Sequence, residues 1–332
     1  MSIQVHKRKR SLQDSPVDLT LMQQARKCLV ALQEELDGVV ETTTEITAIM
    51  TQVDALQAIL STAKKPKIGF SSVTKTDLTT VGIQRKFLQF DAARLHNLLT
   101  HERAAPAEQI QQLCTRIARI YRHVSMRPGA RMILDAVLLA VAEISADGDA
   151  KLPVAILPEM RIASGDGILL KNPITSFEMW FTGIVDYGVC TYENENQRRD
   201  RVLNADVDDV GRLARSKIFL IEGKRLQDKP LYDFMPEAIC QAAVLCEVAG
   251  TTAIRFCLTD GRKWIFSVFV KDERGARVCY EGNVTTILEP RFDPEGRDIA
   301  WEESVHQIVE LIYHWLVAEK DPLTDILYQL ED

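Results

Sequence analysis

A chain of 332 residues that is 46% hydrophobic has room for about two domains and enough apolar side chains for a buried core. Its formal net charge of −7 excludes a general basic field, so any contact with nucleic acid must come from local patches. Seven cysteines, an odd number with no CxxC pair and no signal peptide ahead of them, argue against a disulfide framework and fit a reducing compartment; the longest apolar stretch, 132–144, contains Asp135 and Glu143 and is too short for a membrane span.

Residues 1–16 read as a disordered basic tail. Its HKRKR segment, 6–10, is either a nuclear-import address or a solvated charged end, which leaves a nuclear or a cytoplasmic location. Residues 17–125 read as a helical region. Over 17–63 apolar residues recur at heptad spacing, the a/d series being Leu29, Leu32, Leu36, Val39, Thr43, Ile46, Met50, Val53, Gln57 and Leu60. Such a long helix needs something against its seam: other helices of this chain, a second copy in a homodimer, or a partner protein. Residues 64–80, rich in Lys, Ser and Thr, read as a linker. Helices are expected over 81–100 and 107–124. The second carries Arg116, Arg119, Arg122 and His123, a basic face for phosphates or simply for solvent. His96 and His101 stand five apart, the wrong spacing for two metal ligands on one helical face.

Residues 126–332 read as an α/β (α+β) domain, a mixed central sheet flanked by helices. Pro128 and Gly129 open an apolar helix that runs to about Ser145. Strands are expected over 152–160 and 167–171, joined as a hairpin at Asp166-Gly167, and then over 177–190, where Asp186 ends an apolar run. The charged insertion 192–216 mixes Arg198, Arg199 and Arg201 with Asp206, Asp208 and Asp209, so it is either a phosphate-contacting loop or a mixed solvated one.

The strand IFLIEGKR, 218–225, is too continuously apolar to be half exposed, yet it ends in Glu222 and Lys224. With period two these share one face of the sheet. Two buried carboxylates near each other, Asp186 and Glu222, call for a cation, either a basic side chain or a metal. A short helix follows between Pro236 and Gly250, carrying Gln241. The hairpin 252–258/263–270 turns at Asp260-Gly261, a further strand pair is expected over 277–288, and an amphipathic helix over 301–316. Walker, Rossmann and GxSxG patterns are absent from the sequence.

The order Asp186, then Glu222-Gly223-Lys224, then a helix bearing Gln241, with an apolar helix ahead of the strands, resembles the PD-(D/E)xK restriction-endonuclease-like nucleases over about residues 127–270. That resemblance implies a restriction-endonuclease-like sheet and Mg²⁺- or Mn²⁺-dependent hydrolysis of phosphodiester bonds in DNA or RNA. Asp186, Glu222, Lys224 and Gln241 would form the catalytic core. Asp186, Glu222 and the Gly223 carbonyl would hold the ion. Glu143, or alternatively Asp135 or Glu159, would add an upstream acid, and Arg198, Arg199 and Arg225 would contact nucleic acid. In the exonuclease-like branch a Tyr follows the Gln by four positions, and this chain has Leu245 there. The rival reading is a nuclease-like fold without catalysis, acting as a nucleic-acid-binding or protein-interaction scaffold.

Overall fold

Trp264, Phe181, Phe256, Phe266 and Phe269 have almost no solvent exposure, which requires apolar cover on both faces of the sheet that carries them. A computed structural model provides that cover and describes residues 27, 29, 30, 32, 51, 53, 54, 67–147, 152–192, 202–203, 218–224, 229–291, 298–317 and 321–331. The chain divides into two units, 1–66 and 67–332. In the first, the described residues are helical; Leu29 and Val53 of the heptad series are buried, whereas Leu32 is 41% exposed. The other heptad positions, the HKRKR segment, Arg198, Arg199, Arg201 and Arg225 lie outside the described residues.

In the second unit the strands are β1 (Lys67–Gly69), β2 (Ile83–Phe90), β3 (Val154–Lys171), β4 (Glu178–Thr191), β5 (Ile218–Gly223), β6 (Ala253–Thr259), β7 (Lys263–Lys271), β8 (Arg277–Thr286) and β9 (Tyr328–Leu330). The helices are α1 (Lys75–Thr80), α2 (Ala92–Thr100), α3 (Ala107–His123), α4 (Met126–Asp147), α5 (Met235–Ala249) and α6 (Ile299–Val317). The strands form one mixed sheet in the order β1-β4-β5-β6-β7-β8-β2-β9, with β3 on the other edge of β4, and it does not close into a barrel. Residues of α3, α4 and α6 pack on one face over Tyr187, Ile221, Trp264 and Phe266. The other face, with Phe181, Leu220 and Phe256, packs against α5. Among the described residues no helix is long and apolar enough to cross a membrane.

Several expectations need correction. Residues 64–80 are not simply a linker: β1 joins β4, and α1 is opened by a capping box in which the Thr74 side chain accepts from Asp77 N while Asp77 accepts from Thr74 N. The helix expected over 81–100 is strand β2 followed by the shorter α2, divided at Asp91, whose carboxylate accepts from Arg94 N and caps α2. The hairpin expected within 152–171 is one long strand, β3, antiparallel to β4 with a register shift between Ala163 and Ile168. Its Gly167, at φ +82°, lies so close to Phe181 O that the glycine serves a bulge rather than a turn. The strand pair expected over 277–288 is the single strand β8.

The turn at Asp260-Gly261 does form. Asp260 Oδ1 accepts from Arg262 N and Lys263 N, at 3.0 and 2.7 Å, and Gly261 sits at φ +82°. A Cβ there would fall 2.4 Å from Ala130 O, in the backbone of α4. Gly261→Ala should therefore cost about 2–4 kcal/mol in urea unfolding, through backbone strain plus a clash that no rotamer relieves. A loss under about 1 kcal/mol would contradict this packing.

Candidate metal and active site

The site is made by an exchange of partners along β4. On the edge away from β3, residues 180–182 of β4 pair with β1, and 187–190 pair with β5. Asp186 stands in the gap between them, in the interior of β4. Its carboxylate replaces the missing ladder: Oδ2 accepts the Gly223 backbone N–H at 2.8 Å. The approach is close enough that a Cβ on Gly223 would lie 3.3 Å from that oxygen and 3.0 Å from the Leu134 side chain.

Glu222 and Lys224 share a face, as their spacing requires, and that face looks onto α5. Lys224 Nζ donates to Glu222 Oε1 at 2.6 Å and to Glu237 Oε2 at 2.5 Å. The buried Gln241 amide donates to Glu222 Oε2 at 2.7 Å and to Ile184 O at 3.4 Å. Glu222, Lys224 and Gln241 are thus joined by hydrogen bonds, and Asp186 reaches the same strand at the Gly223 N–H. Glu237 was missed by sequence reasoning, although it lies four residues before Gln241 and so on the same side of α5.

A second group reaches Asp186 from α4. Arg131 Nη1 donates to Asp186 Oδ1 at 3.2 Å and Nε to the Tyr187 hydroxyl at 3.0 Å, with the guanidinium 5.1 Å from the Tyr187 ring centre. The Tyr187 hydroxyl in turn donates to Asp135. Burial, then the Asp135 carboxylate, push the Tyr187 phenol up to about 12, so it stays a donor. Glu143 does not take part. It is exposed and lies eight residues beyond Asp135, roughly 12 Å along the helix, so Asp135 is the α4 acid nearest the cluster. Glu159 is exposed and its backbone is left-handed, at φ +51°. His96 and His101 are exposed.

The electrostatics identify Glu222 as the group under stress. Burial, opposed by Lys224 and reinforced by Asp186 and Glu237, leaves its carboxyl raised to about 7. Burial works against the Lys224 charge, yet Glu222 and Glu237 outweigh it and raise the ammonium above its usual range. Lys224 is therefore held as the ammonium, and burial holds the Glu222 carboxyl above the usual carboxylate range.

Asp135, Asp186, Glu222 and Glu237 are four carboxyl groups against the two cations Arg131 and Lys224. Among the described residues no three or more His, Cys, Asp or Glu side chains converge on a metal position. The donors on offer are two carboxylates and a backbone carbonyl. That all-oxygen set, with its excess of negative charge, fits Mg²⁺ or Mn²⁺, since Mg²⁺ takes one or two carboxylates and keeps several waters. Neither the family models nor the curated proteins compared with the chain give a match.

Proposed function

We propose that the chain is a metal-dependent nuclease of the PD-(D/E)xK, restriction-endonuclease-like type, hydrolysing phosphodiester bonds of DNA or RNA. The observation that carries the reading is that Glu222 accepts from both Lys224 and Gln241 while Asp186 accepts from the intervening Gly223 N–H where β4 and β5 separate, with α4 before the strands and α5 packed beside them. Asp186, Glu222 and the Gly223 carbonyl are the groups that would hold the ion.

When bound, a divalent ion supplies charge stabilisation at a phosphoryl oxygen and acidifies water. Gln241 fixes the Glu222 carboxylate from behind, and Gly223 N–H fixes that of Asp186, so neither acid needs to reorganise. Because Lys224 is held as the ammonium, it acts as a donor and not as a base. Two of its three N–H groups go to Glu222 and Glu237, and the third remains for the attacking water or the phosphate. In the reaction the water oxygen bonds to phosphorus and gives up one proton, the P–O bond to the leaving group breaks, and the leaving oxygen takes up the proton that the water loses, so water alone is consumed.

Incubating the protein with end-labelled single- and double-stranded DNA and with RNA, in Mg²⁺, in Mn²⁺ and in EDTA, tests this. Cleavage of at least one substrate with metal and none in EDTA is the expected result. Intact substrate throughout would leave the second reading, a non-cutting nuclease-like scaffold. One observation favours that alternative: Lys224 is already engaged by two glutamates.

A further inference from the structure

We propose that Arg131 keeps the metal position closed in the free protein, occupying the Asp186 oxygen that a divalent cation needs, and that it passes to a non-bridging oxygen of the phosphodiester once the ion enters. The proposal rests on the nuclease reading. Its basis is the donor that each carboxylate oxygen already accepts from. Glu222 Oε1 is held by Lys224 at 2.6 Å, Glu222 Oε2 by Gln241 at 2.7 Å, Asp186 Oδ2 by Gly223 N–H at 2.8 Å, and Asp186 Oδ1 by Arg131 at 3.2 Å. Each oxygen keeps a second lone pair, so a neutral donor can stay when an ion arrives, but a cation seated on Asp186 Oδ1 opposes the charge of that ion. The first three donors are fixed by burial or by the backbone. The last bond is the longest, and the Arg131 side chain is 47% exposed, so water can replace what it gives up.

Release does not send Arg131 away. Its Nε stays on the Tyr187 hydroxyl and its plane stays near the Tyr187 ring, while Asp135, one helical turn further along α4, anchors that hydroxyl. The freed Nη groups remain beside Asp186, where a phosphate must come to be cut. A planar fork of N–H donors suits two oxygens of one phosphate better than an ammonium would. Arg131 is in this sense a positioning residue that couples ion entry to substrate capture.

The test is calorimetric titration of Mn²⁺ alone into the full chain as wild type, Arg131→Gln and Arg131→Lys, with circular dichroism to confirm that all three are folded. Arg131→Gln should bind Mn²⁺ about two- to fivefold more tightly, because the competing charge is gone, and Arg131→Lys should stay near wild type. Binding of duplex DNA with Ca²⁺ in place of Mg²⁺ should weaken in Arg131→Gln, and the slope of log affinity against log salt should fall by about one. Mn²⁺ affinity unchanged or weakened in Arg131→Gln overturns the closed-site proposal, and unchanged DNA binding overturns the phosphate half of it. Absence of Mn²⁺ binding in the wild type overturns the nuclease reading itself, a result distinct from either.

Discussion

Under the proposed mechanism, Asp186→Asn and Glu222→Gln should each reduce cleavage by about three orders of magnitude or more, because each removes half of the carboxylate charge that would hold the divalent ion. The amides keep the shape. The amide introduced at position 186 can still accept the Gly223 N–H through its carbonyl, and the one at 222 remains beside Gln241 and Lys224. Folding and nucleic-acid binding should therefore persist, with duplex affinity within about fivefold of wild type, since phosphate contacts and not these acids supply it. Glu143→Gln should leave cleavage within about twofold, because that side chain is exposed and remote from the cluster. Initial rates on a labelled duplex, with binding measured in parallel, check all three. Cleavage surviving in both acid variants would refute the mechanism whatever the behaviour of Glu143→Gln.

Lys224→Ala should lose about 2–3 kcal/mol of stability at pH 8 and much less at pH 5. The ammonium is the partner of two carboxylates that are 6% and 12% exposed, and removing one member of such a pair leaves charge stranded in a poorly solvated place. The pH dependence follows from Glu222. Its carboxyl is already raised, chiefly by burial, and loss of Lys224 removes the principal influence holding it down. A carboxyl whose folded pKa exceeds its unfolded one binds more protons when folded, so stability falls as pH rises from the unfolded value of about 4.3 through the folded value. In the wild type this decline is complete once pH has passed about 7. In Lys224→Ala it should continue to higher pH, widening the gap between the two proteins. Urea unfolding at pH 5 and pH 8 measures it, and a pH-independent difference would show that Glu222 is not the group responsible.

What can be read from the sequence is whatever periodicity or spacing encodes locally. The pair Glu222 and Lys224 on one face of a buried strand follows from alternation alone, and the structure keeps both together on the face toward α5. The turn at Asp260-Gly261, with Gly261 at positive φ, is equally local. Strand β2 reads as helix because its apolar residues, with Val81 ahead of Ile83, Phe87, Leu88 and Phe90, satisfy helical spacing as well as strand spacing. Both faces of β2 are packed, Ile83 against one core and Leu88 against the other, so no clean alternation survives. The Ser164-Gly165-Asp166-Gly167 run resembles a turn in composition, and only the pairing of β3 with β4 makes it a bulge.

The parts of the site that escape a sequence reading come from distant elements. Arg131 and Asp135 lie one turn apart on α4, and nothing local says that Tyr187 will stand between them and Asp186. Glu237 is closer to legible, since its four-residue spacing from Gln241 is available in the sequence. The gap at Asp186 depends on β1, a three-residue strand more than a hundred positions away, taking part of the edge of β4. That is a property of topology, not of composition.

The proposed nuclease requires that Asp186 and Glu222 hold one divalent ion between them. Calorimetric titration of Mn²⁺ into the wild type and into the double variant Asp186→Asn/Glu222→Gln tests it most directly. Saturable binding of about one ion per chain, lost in a double variant that remains folded, is the predicted result. No saturable heat in the wild type, or equal binding by the two proteins, would contradict it.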